Sequence, residues 1–300
     1  MKFPKEMTRT LKEFGYFDPS KMEGAISILG ELGNKVIILA GGTDLLNQMK
    51  LRKIIPEFIL NIKKIQELEN IRQNGDLKIG ALTTISTIKE CVSVRRRYIS
   101  IYEAADWFGT PQIRNMATVG GNVCRSSPSS DMIAPLIALD AILKLVGPNG
   151  ERDVPIEEFV LGPGENVLDR EILTEIIVPQ QKESSGTAFR KLTRGSADLA
   201  KVSCAVKILV GNGKCTDIRI VLGAVAEKTF RAKGAEEVIR GEKITDAVIE
   251  EVAKRASQEV QPITDVRSTA HYRRQMVEVL VRRMIDLSID RARGKGMELS

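Results

Sequence analysis

The stretch TVGGNVCRSSPSSD occupies residues 118–131 and runs directly into the apolar segment MIAPLIAL at residues 132–139. The two glycines at 120 and 121 lack Cβ atoms, so their backbone N–H groups can approach a ligand closely. Residues 126–131 are rich in helix N-cap types and predict a helix that begins near Met132. A glycine-rich turn before a helix start is a common place to hold a phosphate. Taken alone, the pattern favours a tight turn before a well-capped helix over a ligand site.

A second glycine pair follows a short apolar run nearer the start of the chain. The sequence VIIL at 36–39 continues as AGGTDLL at 40–46. This pattern predicts a buried strand that enters a turn, and then a short helix from Leu45 to Lys50 capped by Thr43 and Asp44. The adjacent glycines do not match the G-x-G-x-x-G spacing of a Rossmann loop, and no Gly-Lys-Ser/Thr ending follows. A standard NAD or NTP site is therefore not expected here.

These two loops resemble those of the FAD-binding subunit of the molybdenum hydroxylases. That family includes the medium subunit of aerobic carbon monoxide dehydrogenase and the flavin segment of xanthine dehydrogenase. The resemblance covers nearly the whole chain, through AGGTDLL (40–46), GALTT (80–84), IRNMATVGGNVCRSSPSSDMIAPLIALDA (113–141), NVL (166–168), EILTEI (171–176), FRKL (189–192), DLAKV (198–202) and AHYRR (270–274). It implies an α+β fold with a two-lobed FAD-binding domain of the PCMH/vanillyl-alcohol-oxidase type.

Hydrophobic patterning divides the chain into three parts. Residues 1–62 predict a βαβ lobe, with a capping box at Ser20 opening its first helix and strands at 36–39 and 57–62. Residues 63–179 predict a second lobe, with strands at 77–81, 141–146 and 173–179 and helices at 84–92 and 99–108. Residues 180–300 predict a C-terminal domain. A hairpin, 205–210 with 216–223, would form an antiparallel sheet, and helices at 233–239, 246–258 and 271–291 would pack on one face of it. The polar segment 180–186 is the expected boundary.

The resemblance also implies which residues contact FAD. Backbone N–H groups and the Thr43 hydroxyl would hold the pyrophosphate within the loop Leu39, Ala40, Gly41, Gly42, Thr43, Asp44 and Leu45. A second cradle would consist of Thr118, Gly120, Gly121 and Asn122, and Asp131 would anchor a polar group such as a ribose hydroxyl. Phe108 would pack on the cofactor, and Val167 and Leu168 would contact its ring system, although core packing explains these three as well. Arg190 or Lys191 would place a positive charge near the flavin, unless it is an exposed cation beside a strand.

Metal-binding and acid–base patterns do not occur in the sequence. The four cysteines, Cys91, Cys124, Cys204 and Cys215, lie far apart without C-x-x-C spacing, so we expect reduced thiols rather than iron–sulfur or zinc ligands. The single histidine, His271, opens a predicted helix, and we expect a structural role for it. No catalytic residue and no metal ligand is therefore assigned to this chain. This suits an electron-transfer subunit, in which the cofactor carries the chemistry.

Composition restricts the possible partners. The chain has 45 basic and 39 acidic residues among 300, but the charges are scattered and aromatic residues make up only 4%, which argues against nucleic-acid binding. No apolar run reaches the ~18–20 residues of a membrane span, and no signal peptide opens the chain, so we expect a cytoplasmic protein.

The resemblance implies partners as well as a cofactor. It places the molybdopterin cofactor on a large subunit and the [2Fe-2S] clusters on a small subunit, with FAD on this chain. Electrons would pass from the clusters through FAD to an acceptor such as NAD, a quinone or another carrier. Two other classes stay open: a stand-alone FAD-dependent oxidase or dehydrogenase of the same fold, and an assembly or scaffold protein that lacks flavin.

Overall fold

In a computed structural model that describes residues 11–195 and 197–294, the chain begins with a small parallel sheet. Its strands β1 (Gly15–Phe17), β2 (Val36–Leu39) and β3 (Phe58–Asn61) lie in the order β1-β3-β2. The helices α1 (Met22–Leu32) and α2 (Leu45–Lys50) lie on the connections, because parallel strands need a crossover. The predicted βαβ unit is confirmed. The predicted capping box is wrong, since Lys21 occupies the N-cap position of α1 and no side chain caps this helix.

The second lobe is built on a five-stranded antiparallel sheet with the order β4-β5-β10-β6-β7. Its strands are β4 (Ile71–Asn74), β5 (Asp76–Gly80), β6 (Ile142–Gly147), β7 (Gly150–Pro155) and β10 (Ile172–Val178), and a small hairpin adds β8 (Val160–Gly162) and β9 (Glu165–Asn166). The helices are α3 (Ile85–Glu90), α4 (Val92–Arg97), α5 (Ile99–Asp106), α6 (Pro111–Met116), α7 (Val119–Arg125), α8 (Ile133–Ala138) and α9 (Ile156–Phe159). Six of these helices lie between β5 and β6, and α7 among them carries Gly120, Gly121 and Asn122 of the residues predicted to contact FAD.

Two helix predictions in this lobe need correction. The helix expected at 84–92 ends at Glu90, and a separate α4 follows, with Cys91 in extended conformation between them. Thr84 opens α3 as predicted, because its hydroxyl accepts a hydrogen bond from the N–H of Thr87 (3.1 Å). The helix expected to reach Phe108 ends at Asp106. Strand β7 was not predicted, because almost all its residues are exposed and so show no apolar alternation.

The C-terminal part of the chain folds around a four-stranded antiparallel sheet in the order β11-β12-β13-β14. Its strands are β11 (Ser185–Leu192), β12 (Val202–Gly211), β13 (Lys214–Gly223) and β14 (Phe230–Arg231), followed by α10 (Lys233–Ile239), α11 (Asp246–Glu259) and α12 (Ala270–Ala292). The predicted hairpin between β12 and β13 is confirmed. Its turn residues Asn212 and Gly213 have φ of 51° and 74°, the left-handed conformation that a tight hairpin turn requires.

This C-terminal sheet is buried on both faces. Side chains such as Cys204 and Val206 pack with α10, α11 and α12 in one core, while Phe189, Ala205 and Val221 join the core of the second lobe. Helices α5 and α8 of that lobe contact the sheet on this second face. Successive residues of a strand point to opposite faces, so strands buried on both faces are nearly continuous apolar runs. The predicted antiparallel sheet, with the helices of the C-terminal part on one face, is confirmed, and so is the α+β class.

Ion pairs between the part of the chain before residue 180 and the part after it have a single polarity. Within the described residues, each pairs a carboxylate of the earlier part with a cation of the later part. The pairs are Glu103–Arg291, Asp131–Lys191, Asp140–Lys207, Asp140–Arg219, Glu157–Arg231 and Glu157–Lys233. The C-terminal sheet therefore docks on the second lobe through complementary charge as well as through the apolar core.

Candidate functional site

The loop after β2 presents a row of free backbone donors. Within the described part of the chain, the N–H groups of residues 40–45 donate to no protein acceptor, and the next hydrogen bond runs from the N–H of Leu46 to the carbonyl of Gly42 (3.1 Å). Gly42 adopts φ 75°, a left-handed conformation that favours glycine. Thr43 and Asp44 are exposed at the tip of this loop. Consecutive free amides of this kind form a binding site for an anionic group.

The first glycine loop lies against the segment that carries the second. A Cβ atom on Gly41 would lie 2.2 Å from the carbonyl oxygen of Met116, so only glycine allows this approach. A Cβ atom on Gly121 would in turn lie 3.9 Å from the Cβ of Ala40, which is an ordinary contact distance. The two motifs recognised in the sequence are therefore neighbours in the fold, at the junction between the first and second lobes.

The second glycine pair does not form an open loop, and this corrects the predicted glycine-rich turn. Thr118 is the N-cap of α7, and its hydroxyl accepts a hydrogen bond from the N–H of Gly121 (3.2 Å). The N–H of Val119 bonds to Thr83 and that of Gly120 bonds to Ala81. The amides at the start of α7 are thus already used within the protein. A ligand would meet the side chains of this segment and the exposed Gly121 rather than a row of free amides.

Gly120 and Asn122 are held by the surrounding structure. A Cβ atom on Gly120 would lie 2.7 Å from the Cβ of Ala81, so this glycine is explained by close packing rather than by a ligand. The side-chain oxygen of Asn122 accepts a hydrogen bond from the N–H of Met132 (3.2 Å), and its carbonyl accepts one from the hydroxyl of Ser130. Asn122 therefore ties α7 to the segment that precedes α8. The predicted N-cap residues at 126–131 do not cap α8, whose N-cap position is Met132.

Asp44 does not cap α2, although it occupies the N-cap position as predicted. Its backbone is helical and its side chain makes no capping hydrogen bond. The carboxylate instead accepts a hydrogen bond from the side chain of Gln48 and forms an ion pair with Arg125, whose Nε lies 2.5 Å from Oδ2. Arg125 is the last residue of α7 and had no role in the sequence-based assignment. No sequence pattern identifies it, because the contact joins two lobes.

Asp131 and Lys191 form a buried ion pair. The side chains are 6% and 1% exposed, and Nζ of Lys191 donates to Oδ2 of Asp131 (2.7 Å) and to the carbonyl of Asp198 (3.1 Å). Burial raises the pKa of Asp131 to about 6, although the nearby ammonium group of Lys191 acts to lower it. The second oxygen, Oδ1, is buried and has no hydrogen-bond partner among the described residues. It can accept a hydrogen bond from a ligand hydroxyl, and Lys191 is not an exposed cation.

The aromatic residues near this pair lie in the turn after α5. Trp107 follows the last residue of that helix, and the guanidinium carbon of Arg190 lies 5.1 Å from the centroid of its ring. Such an arrangement is an attractive cation–π contact. Phe108 is half-buried against the core of the second lobe, and Arg114 donates to its carbonyl oxygen (3.0 Å). Strand β11 thus contacts the turn after α5 through Arg190 and the segment before α8 through Lys191.

Val167 and Leu168 follow β9 and are also half-buried against the core of the second lobe. The side chain of Asn166 donates to the carbonyl of Cys124 on α7 (2.8 Å) and accepts from the N–H of Leu168 (3.0 Å). Helix α7 therefore contacts the first glycine loop, the segment before Asp131 and the segment that carries Val167 and Leu168. It brings most of the residues predicted to contact FAD into one region.

The single histidine lies outside this region, and of the four cysteines only Cys124 lies on α7. His271 is exposed in the first turn of α12, beside the N-cap Thr269. The four cysteines are free thiols, and burial raises the pKa of Cys124 to about 12. In the described residues, no group of three or more His, Cys, Asp or Glu side chains is placed to hold a metal ion. None of the described helices is long and apolar enough to cross a membrane.

Together these features suit a class of protein that binds a phosphate-bearing aromatic cofactor. The free amides of the first loop suit a diphosphate, and the buried Oδ1 of Asp131 suits a hydroxyl donor. Phe108, Val167 and Leu168 supply apolar surface nearby. The residues present therefore fit a dinucleotide-type group such as FAD.

Comparison with known proteins identifies the family. Residues 12–181 match the FAD binding domain in molybdopterin dehydrogenase, and residues 187–287 match the CO dehydrogenase flavoprotein C-terminal domain. The chain is 35% identical to the carbon monoxide dehydrogenase medium chain of Hydrogenophaga pseudoflava, over 91% of this chain and 96% of that relative. It is 30% identical to the xanthine dehydrogenase FAD-binding subunit of Escherichia coli O157:H7, over 93% of this chain and 97% of that relative.

A solved structure agrees with these matches. A chain of carbon monoxide dehydrogenase from Hydrogenophaga pseudoflava superposes with a TM-score of 0.91 at 35% identity, covering 94% of this chain and 99% of that one. This protein belongs to the family of FAD-binding subunits of the molybdenum hydroxylases. The predicted family, fold and FAD cofactor are confirmed, and the chain is a subunit of an oxidoreductase.

Proposed function

We propose that this chain is the electron-transfer subunit of a cytoplasmic, heteromeric molybdenum hydroxylase. A large partner would carry the molybdenum cofactor and oxidise the substrate, and a small partner would carry [2Fe-2S] clusters. FAD on this chain would receive the electrons and pass them to an acceptor such as NAD⁺ or a quinone. The names of the relatives support a shared assembly, because they describe a medium chain and an FAD-binding subunit.

The row of free amides at residues 40–45 is the observation that carries the proposed cofactor site. These N–H groups, with the hydroxyl of Thr43, would hold the diphosphate between Leu39 and Leu45. The buried Oδ1 of Asp131 would accept a hydrogen bond from a ribose hydroxyl. At the start of α7, the exposed backbone of Gly121 and the side chain of Asn122 would border the cofactor, while Thr118 and Gly120 hold this segment in place. Such a site neutralises the charge of the diphosphate with fixed dipoles.

Residues around the ring system would orient it and adjust its charge environment. FAD, when bound, accepts electrons and releases them to a second partner. Phe108, Val167 and Leu168 would contact the ring with apolar surface. Arg190, held over Trp107, and Lys191, held by Asp131, are cations with fixed positions. One of them would place its charge near the flavin and favour the electron-rich form.

The first experiment measures the absorbance spectrum of the purified chain, reconstituted with FAD, before and after anaerobic addition of NADH. Oxidised-flavin bands that NADH bleaches would support the electron-transfer role and identify NAD as the acceptor. Bands that persist with NADH, but bleach when partner chains and their substrate are added, would support the same role with another acceptor.

The same experiment separates the two rival functions. A chain that retains no FAD after reconstitution would overturn the proposal in favour of a scaffold without flavin. Bleaching by a small organic substrate and recolouring by O₂, both without partner chains, would favour a stand-alone oxidase.

A further inference from the structure

We propose that Arg125 offsets the negative charge of Asp44 at the diphosphate-binding loop and so sets the affinity of the chain for FAD. This inference rests on the proposed placement of the diphosphate at residues 39–45. It assigns Arg125 as a cofactor-affinity residue contributed by the second lobe to a loop of the first. The pair thus links the charge of the loop to the contact between the lobes.

The carboxylate of Asp44 is unfavourable for an anionic ligand. It lies within the run of residues whose free N–H groups would bind the diphosphate. A negative charge beside a bound diphosphate is repelled, and the repulsion is weakly screened at short distance. The carboxylate is not needed to cap α2, because it makes no capping hydrogen bond. Its charge must therefore be balanced by another group if the loop is to bind FAD tightly.

Arg125 is held in the position that balances this charge. Its Nε lies 2.5 Å from Oδ2 of Asp44, and the two side chains are 40% and 50% exposed. Its Nη1 lies under the β8–β9 hairpin, where a Cβ atom on Gly164 would come within 2.9 Å of it. Ser126, the next residue, ends α7 with φ 49° and accepts a hydrogen bond from the N–H of Gly164. The hydrogen bond from Gly164 to Ser126 thus anchors the end of α7 from which Arg125 extends.

Single and double substitutions change the net charge of the loop in opposite directions. Arg125→Gln leaves one uncompensated negative charge beside the diphosphate, and Asp44→Asn leaves one uncompensated positive charge. The double variant restores neutrality. If Arg125 acts through charge, FAD should bind most tightly to Asp44→Asn, about equally to wild type and the double variant, and most weakly to Arg125→Gln.

The test measures the dissociation constant of FAD for the full chain, stripped of flavin, by quenching of flavin fluorescence. At about 20 mM salt, where the Debye length is about 20 Å, we expect Arg125→Gln to weaken binding about three- to tenfold. Asp44→Asn should tighten binding about threefold, and the double variant should lie within about twofold of wild type. The effect of Arg125→Gln should shrink at about 0.5 M salt, because exposed charges are screened.

Two controls separate charge from structure. Arg72→Gln removes an arginine from another ion pair of the same lobe, with Glu175 on the five-stranded sheet, and should leave FAD binding unchanged. Arg125→Lys keeps the charge and should bind FAD within about twofold of wild type. Thermal unfolding of each flavin-free variant shows that the fold is retained, and riboflavin, which lacks the diphosphate, should bind all variants alike.

Equal weakening by Arg125→Gln and Asp44→Asn would overturn the proposal, because the pair would then act only as a brace between the lobes. Unchanged binding in both variants would overturn it as well. If the wild-type chain binds FAD no more tightly than riboflavin, a different conclusion follows. In that case the diphosphate does not lie at residues 39–45, and the proposed site fails together with the role of Arg125.

Discussion

The substitution Lys191→Met tests the buried ion pair that joins the C-terminal domain to the FAD-binding domain. The side chain of Lys191 is 1% exposed and that of Asp131 is 6% exposed. Burial raises the pKa of Asp131 to about 6 in the wild-type chain, and Lys191 limits this rise. Without the ammonium group, we expect the pKa of Asp131 to rise to about 8, as documented for buried unpaired carboxyl groups.

The direction of the pH dependence follows from this shift. A raised carboxyl pKa means that the folded chain keeps a proton that the unfolded chain releases. Stability therefore falls as pH rises between the unfolded and folded pKa values. For wild type this fall ends near pH 6, whereas in Lys191→Met it continues to about pH 8. One pKa unit corresponds to about 1.4 kcal/mol, and each carboxyl is half-titrated at its own pKa. The loss of unfolding free energy in Lys191→Met relative to wild type should therefore be about 2 kcal/mol greater at pH 8 than at pH 6.

The assay is urea unfolding of the flavin-free chain at several pH values between about 6 and 8, followed by circular dichroism. Lys207→Met is a matched control, because Lys207 pairs with Asp140 and their side chains are 18% and 43% exposed. The unfolding free energy lost in Lys207→Met should vary little between about pH 6 and pH 8. In the double variant Asp131→Asn/Lys191→Met, the additional dependence of the unfolding free energy on pH should disappear. A loss in Lys191→Met that stays constant from pH 6 to pH 8 would refute the reasoning.

Three further outcomes are expected. Gly41→Ala should lower the unfolding free energy by about 2–3 kcal/mol and weaken FAD binding in a fluorescence titration, because the new Cβ meets the carbonyl of Met116 at 2.2 Å. Burial acts to raise the pKa of Glu157, but two nearby cations lower it overall. The contribution of Glu157 to stability is therefore present above pH ~4.5 and is lost as pH falls through the folded pKa. The melting temperature of Glu157→Gln should therefore fall less than that of wild type from pH 5 to pH 3. Asp140→Asn should lower the unfolding free energy by about 1 kcal/mol in dilute buffer and by less at 1 M NaCl, because the lost ion pairs are partly exposed.

Local sequence patterns predicted much of the fold. The run VIIL before two glycines predicted β2 and its loop, since a short apolar segment that ends in glycines favours a buried strand. The Gly211-Asn212-Gly213 turn predicted the hairpin of β12 and β13, because left-handed residues are required there. The polar strand β7 and the glycine-containing α7 were missed. Strand β7 forms because it pairs with β6, and α7 forms because Gly120 packs closely on Ala81, so that in both tertiary contacts outweigh the local preference of the residues.

The sequence predicted residues of the FAD site but not the contacts that these residues make within the protein. Adjacent glycines indicated close approach, yet the close partners of Gly41 and Gly120 are the backbone of Met116 and the side chain of Ala81. Only the first loop keeps its amides free, a distinction that depends on which carbonyl groups lie nearby. Hydrogen-bond partners from distant segments cannot be read from a local pattern.

By itself the sequence determined the family, the α+β class, the FAD cofactor and the two glycine motifs, because these depend on residue types and their order. The tertiary structure alone decided that Lys191 is buried with Asp131 and that Arg125 reaches Asp44. It also decided that the ion pairs between the domains share one polarity. Burial and charge pairing arise between residues far apart in the chain, and they determine the pKa of a carboxyl group and the charge of a binding loop.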